Sequence, residues 1–325
     1  MLKLGRRAAL AGGAGIAFAP SQGQAQAWPS KPVRFLVPYP VGGIVDIVTR
    51  AVADGMQSEI SQPIVIDPRP GGNSTLATAM VTQAPADGHT LIMATISHVV
   101  APHLQPVSYD VLKEFQGVAL VAVATSLATV NASVPVKTLS ELVAYGRANP
   151  GKLNYLNPGN GSSIHLASEL LKSHSQFQMT SVPYRGIPPG LPDLLEGRLQ
   201  VGLLPGPLAL PHVQSGKLRA LALLGNERSK VLPDVPTFTE AGFGDAQVMS
   251  WYTIALRSGT PPEIVNRIHA AAMKAIASPD TRERLAKASC EIPAPQPPDA
   301  IQALYARDYA RYGKLVKEAG IKGDS

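Results

Sequence analysis

Apolar and polar positions along this chain switch repeatedly between a period of two and a period of 3.6, the pattern of alternating strands and helices. Val33–Val37 is a mostly apolar run of strand length, Pro38 and Pro40 forbid its continuation, and Gly42-Gly43 permits a tight turn into a helix opening near Ile44. Ile47, Val48, Ala51, Val52, Met56 and Ile60 then follow the helical period until Pro63. A second strand is expected at 64–66 and a turn at 69–74. A helix over 75–84, with Ser74 as its cap, and a third strand at 90–95 should follow. Three strand–helix steps in so short a stretch predict a parallel α/β sheet.

The apolar, β-branched run 117–130 is too long for one ordinary strand and is a candidate crossing between domains. Beyond it, Thr138-Leu139-Ser140-Glu141 is a capping box for a helix ending near Asn149-Pro150-Gly151. A strand at 152–155 leads into the loop 157–163, and the next helix carries Ile164, Ala167, Leu170 and Leu171 on one face. Further strands are expected at 179–182, 199–204 and Leu218–Leu224. Residues 231–244 read as an ordered surface connection, and 248–256 as a second crossing. Thr260-Pro261-Pro262-Glu263 combines a cap with proline at the first helical position and opens a helix to about Ala277; segments 280–288 and 298–319 complete a helical C-terminal part.

The first 27 residues stand apart from this rhythm. Lys3, Arg6 and Arg7 precede a small apolar run, and Gln24-Ala25-Gln26-Ala27 offers an A-x-A cleavage site before Trp28. The run is shorter than the ~20 residues of a membrane span, so the segment reads as an export signal cleaved near Ala27 and the mature protein as periplasmic. Sec and twin-arginine export both stay open. Removing 27 of 325 residues leaves 298, room for two domains, and taking the signal's three basic residues from the formal +6 leaves +3. With 5% aromatics and no block of lysine or arginine, that charge gives no case for nucleic acid and suits a small anion better. Cys290 is the only cysteine, which excludes an intrachain disulfide and a cysteine-rich metal site.

Candidate chemistry gathers at strand–turn–helix junctions. The free N–H groups of a first helical turn, with the positive end of the helix dipole, make a site for a carboxylate or phosphate. Gly42-Gly43 before Ile44 is one such turn; Gly159-Asn160-Gly161-Ser162-Ser163 is another, and together they suggest a ligand gripped from two sides. Asp46 either complements its own helix dipole or contacts a bound amine or water. Thr95, Ser97 and His98 lie near the C-terminal end of a strand, where open α/β sheets bind ligands, with His98 read as a loop hydrogen-bonder. Tyr184-Arg185-Gly186 places a ring and a cation after another strand, Arg185 either pairing with a carboxylate or lying in solvent.

Ser162 or Ser163 with His165 invites a serine-hydrolase reading, but Gly161-Ser162-Ser163-Ile164-His165 lacks the second glycine of a nucleophile elbow and no acid partner is indicated. His165 and Glu169, four apart, share a helix face. His98 and His103 match no metal-binding spacing, and the glycine pairs fit neither nucleotide motif. No metal or cofactor is expected.

The chain from Trp28 onward resembles the periplasmic solute receptors of tripartite tricarboxylate transporters, the Bug receptors. The resemblance is carried by Trp28-Pro29-Ser30-Lys31-Pro32-Val33-Arg34, by Val37-Pro38-Tyr39-Pro40-Val41-Gly42-Gly43 with Asp46, and by Ala84-Pro85-Ala86-Asp87-Gly88-His89-Thr90-Leu91. Ala148-Asn149-Pro150-Gly151-Lys152-Leu153-Asn154-Tyr155, Gly159-Asn160-Gly161-Ser162-Ser163 with His165, and Val182-Pro183-Tyr184-Arg185-Gly186 follow in order. Gly216-Lys217-Leu218-Arg219-Ala220-Leu221-Ala222 and Leu232-Pro233-Asp234-Val235-Pro236-Thr237 complete the set.

What the resemblance implies is a type II periplasmic-binding-protein fold, two doubly wound α/β domains joined by two crossover strands. Lobe 1 would comprise 28–127 with 248–325, and lobe 2 128–247. It implies a non-catalytic, monomeric receptor that closes on a small organic acid and presents it to membrane permease subunits, or to a sensor kinase. The first βα loop, with Tyr39, and the loop 159–163 would hold a carboxylate through backbone N–H groups and waters. The sequence departs from the family pattern at Val45, at Arg185 and at Pro205-Gly206-Pro207, where the family usually has an aspartate and a serine. A ligand amine is therefore not expected at Pro205.

Overall fold

The computed structural model describes residues 28–225, 227–229, 231–318 and 320–321. The expected export signal, 1–27, lies outside the described residues, as does the last residue expected for the C-terminal helix, Ala319. Two mixed α/β sheets form, one per lobe. The first holds β1 (Val33–Val37), β2 (Ile64–Pro68), β3 (Thr90–Ala94) and β4 (Phe115–Ala124), joined later by β10 (Ser250–Arg257) and β11 (Cys290–Glu291). Its order is β11-β4-β10-β3-β1-β2. The second holds β5 (Ser126–Asn131), β6 (Asn154–Asn157), β7 (Thr180–Pro183), β8 (Val201–Pro205) and β9 (Leu218–Leu224), ordered β7-β6-β8-β5-β9. The pairs β1–β2, β1–β3, β6–β7 and β6–β8 are parallel, whereas β10 and β5 run antiparallel to their neighbours.

The helices in chain order are α1 (Ile44–Gln57), α2 (Thr75–Gln83), α3 (Ile96–Leu104), α4 (Leu139–Ala148), α5 (Ser163–Ser175), α6 (Leu191–Leu195), α7 (Gly206–Gln214), α8 (Pro262–Ala277), α9 (Pro279–Lys287) and α10 (Pro298–Glu318). Both faces of the first sheet are covered, which explains its near-continuous apolar strands. Successive side chains take opposite faces: Val33, Phe35, Val37, Leu91 and Met93 pack with α1, α8 and α9, and Leu36, Ile92 and Ala94 with the cluster that contains α3 and α10. The C-terminal helix is tied down by polar bonds as well as by packing. Trp251 Nε1 donates to Asp308 at 2.8 Å, and the hydroxyls of Thr253 and Tyr305 lie 2.6 Å apart.

The apolar run 117–130 is divided between β4 and β5 at Thr125, so the chain passes from one sheet to the other through a single residue. The return path runs from Leu224 to Ser250. Its middle part is more than a surface connection: Phe238 is fully buried, and backbone bonds Leu223–Pro236 and Phe238–Leu223 fasten it to β9.

Capping follows the sequence at Thr138, is supplied at α5 by Ser162, and departs from the sequence in two places. Thr138 Oγ1 accepts from Glu141 N at 3.1 Å and Ser162 Oγ from His165 N at 3.2 Å. Ser74 does not cap α2; its backbone is left-handed (φ 75°) and its hydroxyl is buried without a partner. Thr260 does not cap α8 either, because its hydroxyl donates to Arg257 O and Pro261 takes the cap position.

Candidate functional site

The C-terminal ends of β1, β3, β6, β7 and β8 converge where the two sheets face each other, the position at which a doubly wound sheet exposes its helix starts. A cavity of about 630 Å³, its mouth included, lies between them. From the first lobe it is bordered by Tyr39, Pro40, Gly43, Ile44 and Val45, by Thr95, Ile96 and Ser97, and by Ser250, Trp251 and Tyr252 at the start of β10. From the second come Ser126, Pro158, Ser162, Ser163 and Ile164, then Gly186, Ile187, Pro188 and Pro205.

Two helix starts open onto this space. In α1 the first intrahelical bond is Ile47 N to Gly43 O, leaving the N–H groups of Ile44 and Val45 without an acceptor in the helix. In α5, Leu166 N bonds to Ser162 O and His165 N to Ser162 Oγ, which leaves Ser163 and Ile164 in the same condition. The dipoles of α1 and α5 thus present positive ends to one cavity from opposite lobes. Gly43 can sit there because its backbone (φ −76°, ψ 166°) is extended and its only close neighbour is Pro40 O.

The lobes touch around the cavity. Ser97 Oγ, 2.7 Å from Tyr39 Oη within the first lobe, donates across the seam to Gly161 O at 3.5 Å, and Ser163 Oγ lies 2.6 Å from Ser250 Oγ of the opposite lobe. Burial raises the Tyr39 phenol above its ordinary value, with the Ser97 hydroxyl opposing; burial also keeps the Tyr252 phenol well above its own. Both stay neutral. The turn of α5 approaches so closely that a Cβ on Gly161 would stand 2.7 Å from Leu104 Cδ1, and one on Gly159 2.8 Å from Asn73 Oδ1. A Cβ on Gly186 would meet Pro40 at 3.2 Å. This is a closed arrangement of the two lobes.

Several residues singled out in the sequence stand away from the cavity lining. Gly42 forms the exposed left-handed turn, and its N–H is taken by Asp46 Oδ2 at 3.0 Å while Arg50 Nε holds Oδ1 at 3.0 Å. Asp46 therefore closes its own turn. Asn160 Oδ1 accepts from Asn157 Nδ2 at 2.6 Å, bracing the loop. Tyr184 turns outward and donates to Asp193 Oδ2 at 2.5 Å, and Arg185 is exposed, the solvated of its two readings.

His98 is a correction: it lies inside α3 rather than in a loop, 1% exposed, with Nδ1 3.0 Å from Thr78 Oγ1 and its ring edge-on to Phe115. Burial lowers its pKa from 6.5 to about 3. An unfolded chain then takes up the proton first as pH falls through 6.5, so this stabilisation is complete above that value and is lost toward pH 3. At pH 5 the loss amounts to about 2 kcal/mol. Urea denaturation from pH 7 to 5 should show that slope, and His98→Gln should flatten it.

The hydrolase constellation is not assembled. Ser162 Oγ is engaged by the backbone N–H of His165, His165 Nδ1 accepts from Gly161 N at 3.0 Å, and Ser163 faces Ser250. No group of ligating side chains able to hold a metal occurs among the described residues. The lining residues that sequence reasoning missed fall in two classes. Ser126, Ser250, Trp251 and Tyr252 open the strands beyond the crossings, a position the crossing pattern itself marks. Ile187, Pro188, Ile96 and Ile164 look like ordinary core residues, and only tertiary placement brings them to the cavity.

A family profile described as tripartite tricarboxylate transporter family receptor matches residues 48–321. Protein BugT of Bordetella pertussis is 30% identical over 301 residues, covering 92% of each chain. The solved structure of Rpa4515 from R. palustris with adipate superposes with a TM-score of 0.85 at 32% identity, over 91% of this chain and all of that one. MatC (Rpa3494) from Rhodopseudomonas palustris with bound malate gives 0.83 at 33% identity, over 89% and 100%.

Proposed function

This chain belongs to the receptor family of tripartite tricarboxylate transporters, and on that premise we propose that it captures a small carboxylate-bearing compound between its lobes and delivers it to membrane permease subunits after export to the periplasm. It is a solute receptor, not an enzyme. The observation that carries the ligand class is the convergence of α1 and α5, from opposite lobes, on one cavity through Ile44, Val45, Ser163 and Ile164. Preformed N–H groups aimed at a cavity between the lobes favour an anion, and a carboxylate offers two oxygens to share between the lobes.

Delivery requires closure. A permease distinguishes a loaded receptor from an empty one only if the ligand stabilises one conformation differentially. A carboxylate accepting bonds from both lobes does so, because an open form keeps only one set. The related R. palustris structures hold adipate and malate; the element those ligands share with this proposal is the carboxylate. Mass spectrometry of small molecules released from the purified, unstripped protein tests the reading. A small organic acid at near-equimolar amount is expected, and recovery of a cationic or purely neutral ligand instead contradicts it.

A further inference from the structure

One polar side chain of the first lobe reaches into the second without bonding to it. Between β2 and α2 successive residues all take positive φ: Gly71 (142°), Gly72 (53°), Asn73 (51°) and Ser74 (75°). Asparagine tolerates the left-handed region better than serine does, so the turn is held there by its surroundings rather than by its own preference. Thr75 Oγ1 and Gln105 Nε2 both donate to Gly72 O, at 2.7 and 3.1 Å. These partners all belong to the first lobe.

The turn presents the Asn73 carboxamide to the loop ahead of α5. A Cβ on Gly159 would stand 2.8 Å from Asn73 Oδ1 and one on Gly161 3.1 Å from Asn73 Nδ2, so the amide fits only because both positions lack a side chain. Its oxygen accepts from Tyr39 Oη at 3.4 Å, again within the first lobe. Its nitrogen is buried and has no hydrogen-bond partner in the protein.

With the lobes apart, Asn73 Nδ2 is free to bond to solvent; closing them removes solvent and supplies no acceptor. Burying an unpaired N–H shifts an equilibrium against the buried form by about 5- to 150-fold. The van der Waals contacts of the amide with the two glycines return roughly threefold. We infer that Asn73 opposes closure and holds the empty receptor open until a ligand between the lobes outweighs it. Asn73 does not border the cavity, so it is a positioning residue that acts through the open–closed equilibrium alone. A receptor biased in this way presents fewer empty closed molecules to a permease.

The inference rests on the receptor reading above only in that the lobes open and close, and its test needs no ligand. A nitroxide is attached to the second lobe through Arg185→Cys, an exposed position, the native Cys290 being buried. Paramagnetic relaxation enhancement is read in stripped protein at the amide of Val41, next to the Pro40 that Gly186 meets in the closed form. Closed molecules bring label and amide together, so the enhancement scales with their population. Asn73→Gly removes the carboxamide and suits the left-handed turn; Asn73→Ala removes it and keeps a Cβ, which lowers the stability of open and closed forms alike. Both should raise the enhancement by about 2- to 50-fold over the protein with Asn73. An unchanged or smaller enhancement overturns the inference. An increase in Asn73→Gly alone traces the effect to a loosened turn and overturns it too. Neither result touches the carboxylate reading, which the molecule recovered from the native protein decides.

Discussion

Replacing Gly43 with leucine is expected to weaken ligand binding by at least 100-fold while leaving the ligand-free protein folded. Gly43 occupies the cap position of α1 with φ −76° and ψ 166°, a conformation open to any L-residue, so the substitution introduces no backbone strain. Its Cβ would find a single atom within 4 Å, Pro40 O at 3.3 Å. A buried glycine with so little around it borders empty space, and the space it borders is the cavity. A leucine side chain would fill the volume in front of Ile44 and Val45 and screen their N–H groups. Losing a bond to an ionised partner costs about 1.5–3 kcal/mol, and excluding the ligand from its seat adds to that. The change in cap preference should cost the fold only about 1 kcal/mol or less. Calorimetric titration beside thermal unfolding separates the two; a variant that unfolds as wild type and binds as wild type would place the ligand elsewhere.

Gly161→Ala is expected to act on both stability and affinity, through different causes. The backbone there is left-handed (φ 81°), a conformation that costs a non-glycine residue roughly 1–2 kcal/mol, open or closed. That part lowers the melting temperature and cancels from the binding constant. The second part exists only when the lobes meet: the new Cβ would stand 2.7 Å from Leu104 Cδ1, 3.0 Å from Val100 Cγ1 and 3.1 Å from Asn73 Nδ2, all across the seam. Overpacking of this kind costs about 1–3 kcal/mol, which corresponds to a loss of roughly 5- to 150-fold in affinity. Combining Gly161→Ala with Leu104→Ala should restore most of the affinity and none of the backbone strain. If the double variant binds no better than the single one, the seam contact is not what limits closure.

The difference between these two glycines could not be read from the chain, where both precede a helix and look alike. Local chemistry made the first jaw legible: two prolines end β1, Gly42-Gly43 turns the chain, and the helix begins at Ile44 as the pattern required. Long-range packing decided the rest. The run 117–130 carries no turn signal at Thr125, so its division between two sheets follows from which strands it can pair with. Helices α3 and α7 leave no clear trace in the pattern of the chain, because Pro102, Pro207 and Pro211 interrupt the segments that form them. Yet Pro207 lies in a first turn, where a missing N–H costs nothing. The end of a strand puts His98 in a loop on the sequence alone, whereas α3 carries it into the core.

The apolar walls left no local trace. Ile187 and Pro188 follow Gly186 in what reads as an ordinary loop, and they reach the cavity only because a Cβ-free Gly186 lets that loop lie against Pro40. Tyr184 and Arg185 were attractive by residue type, but their side chains turn to Asp193 and to solvent.

The central claim is that one carboxylate is shared by two helix starts on opposite lobes. It is tested most directly by following backbone amide resonances of isotope-labelled, stripped protein as the ligand recovered from the native preparation is added. The account predicts large downfield proton shifts at Ile44 and Val45 together with Ser163 and Ile164, saturating with a single affinity. Shifts confined to one of these pairs, or centred instead on a distant groove such as the one beside Arg147 and His174, would contradict it.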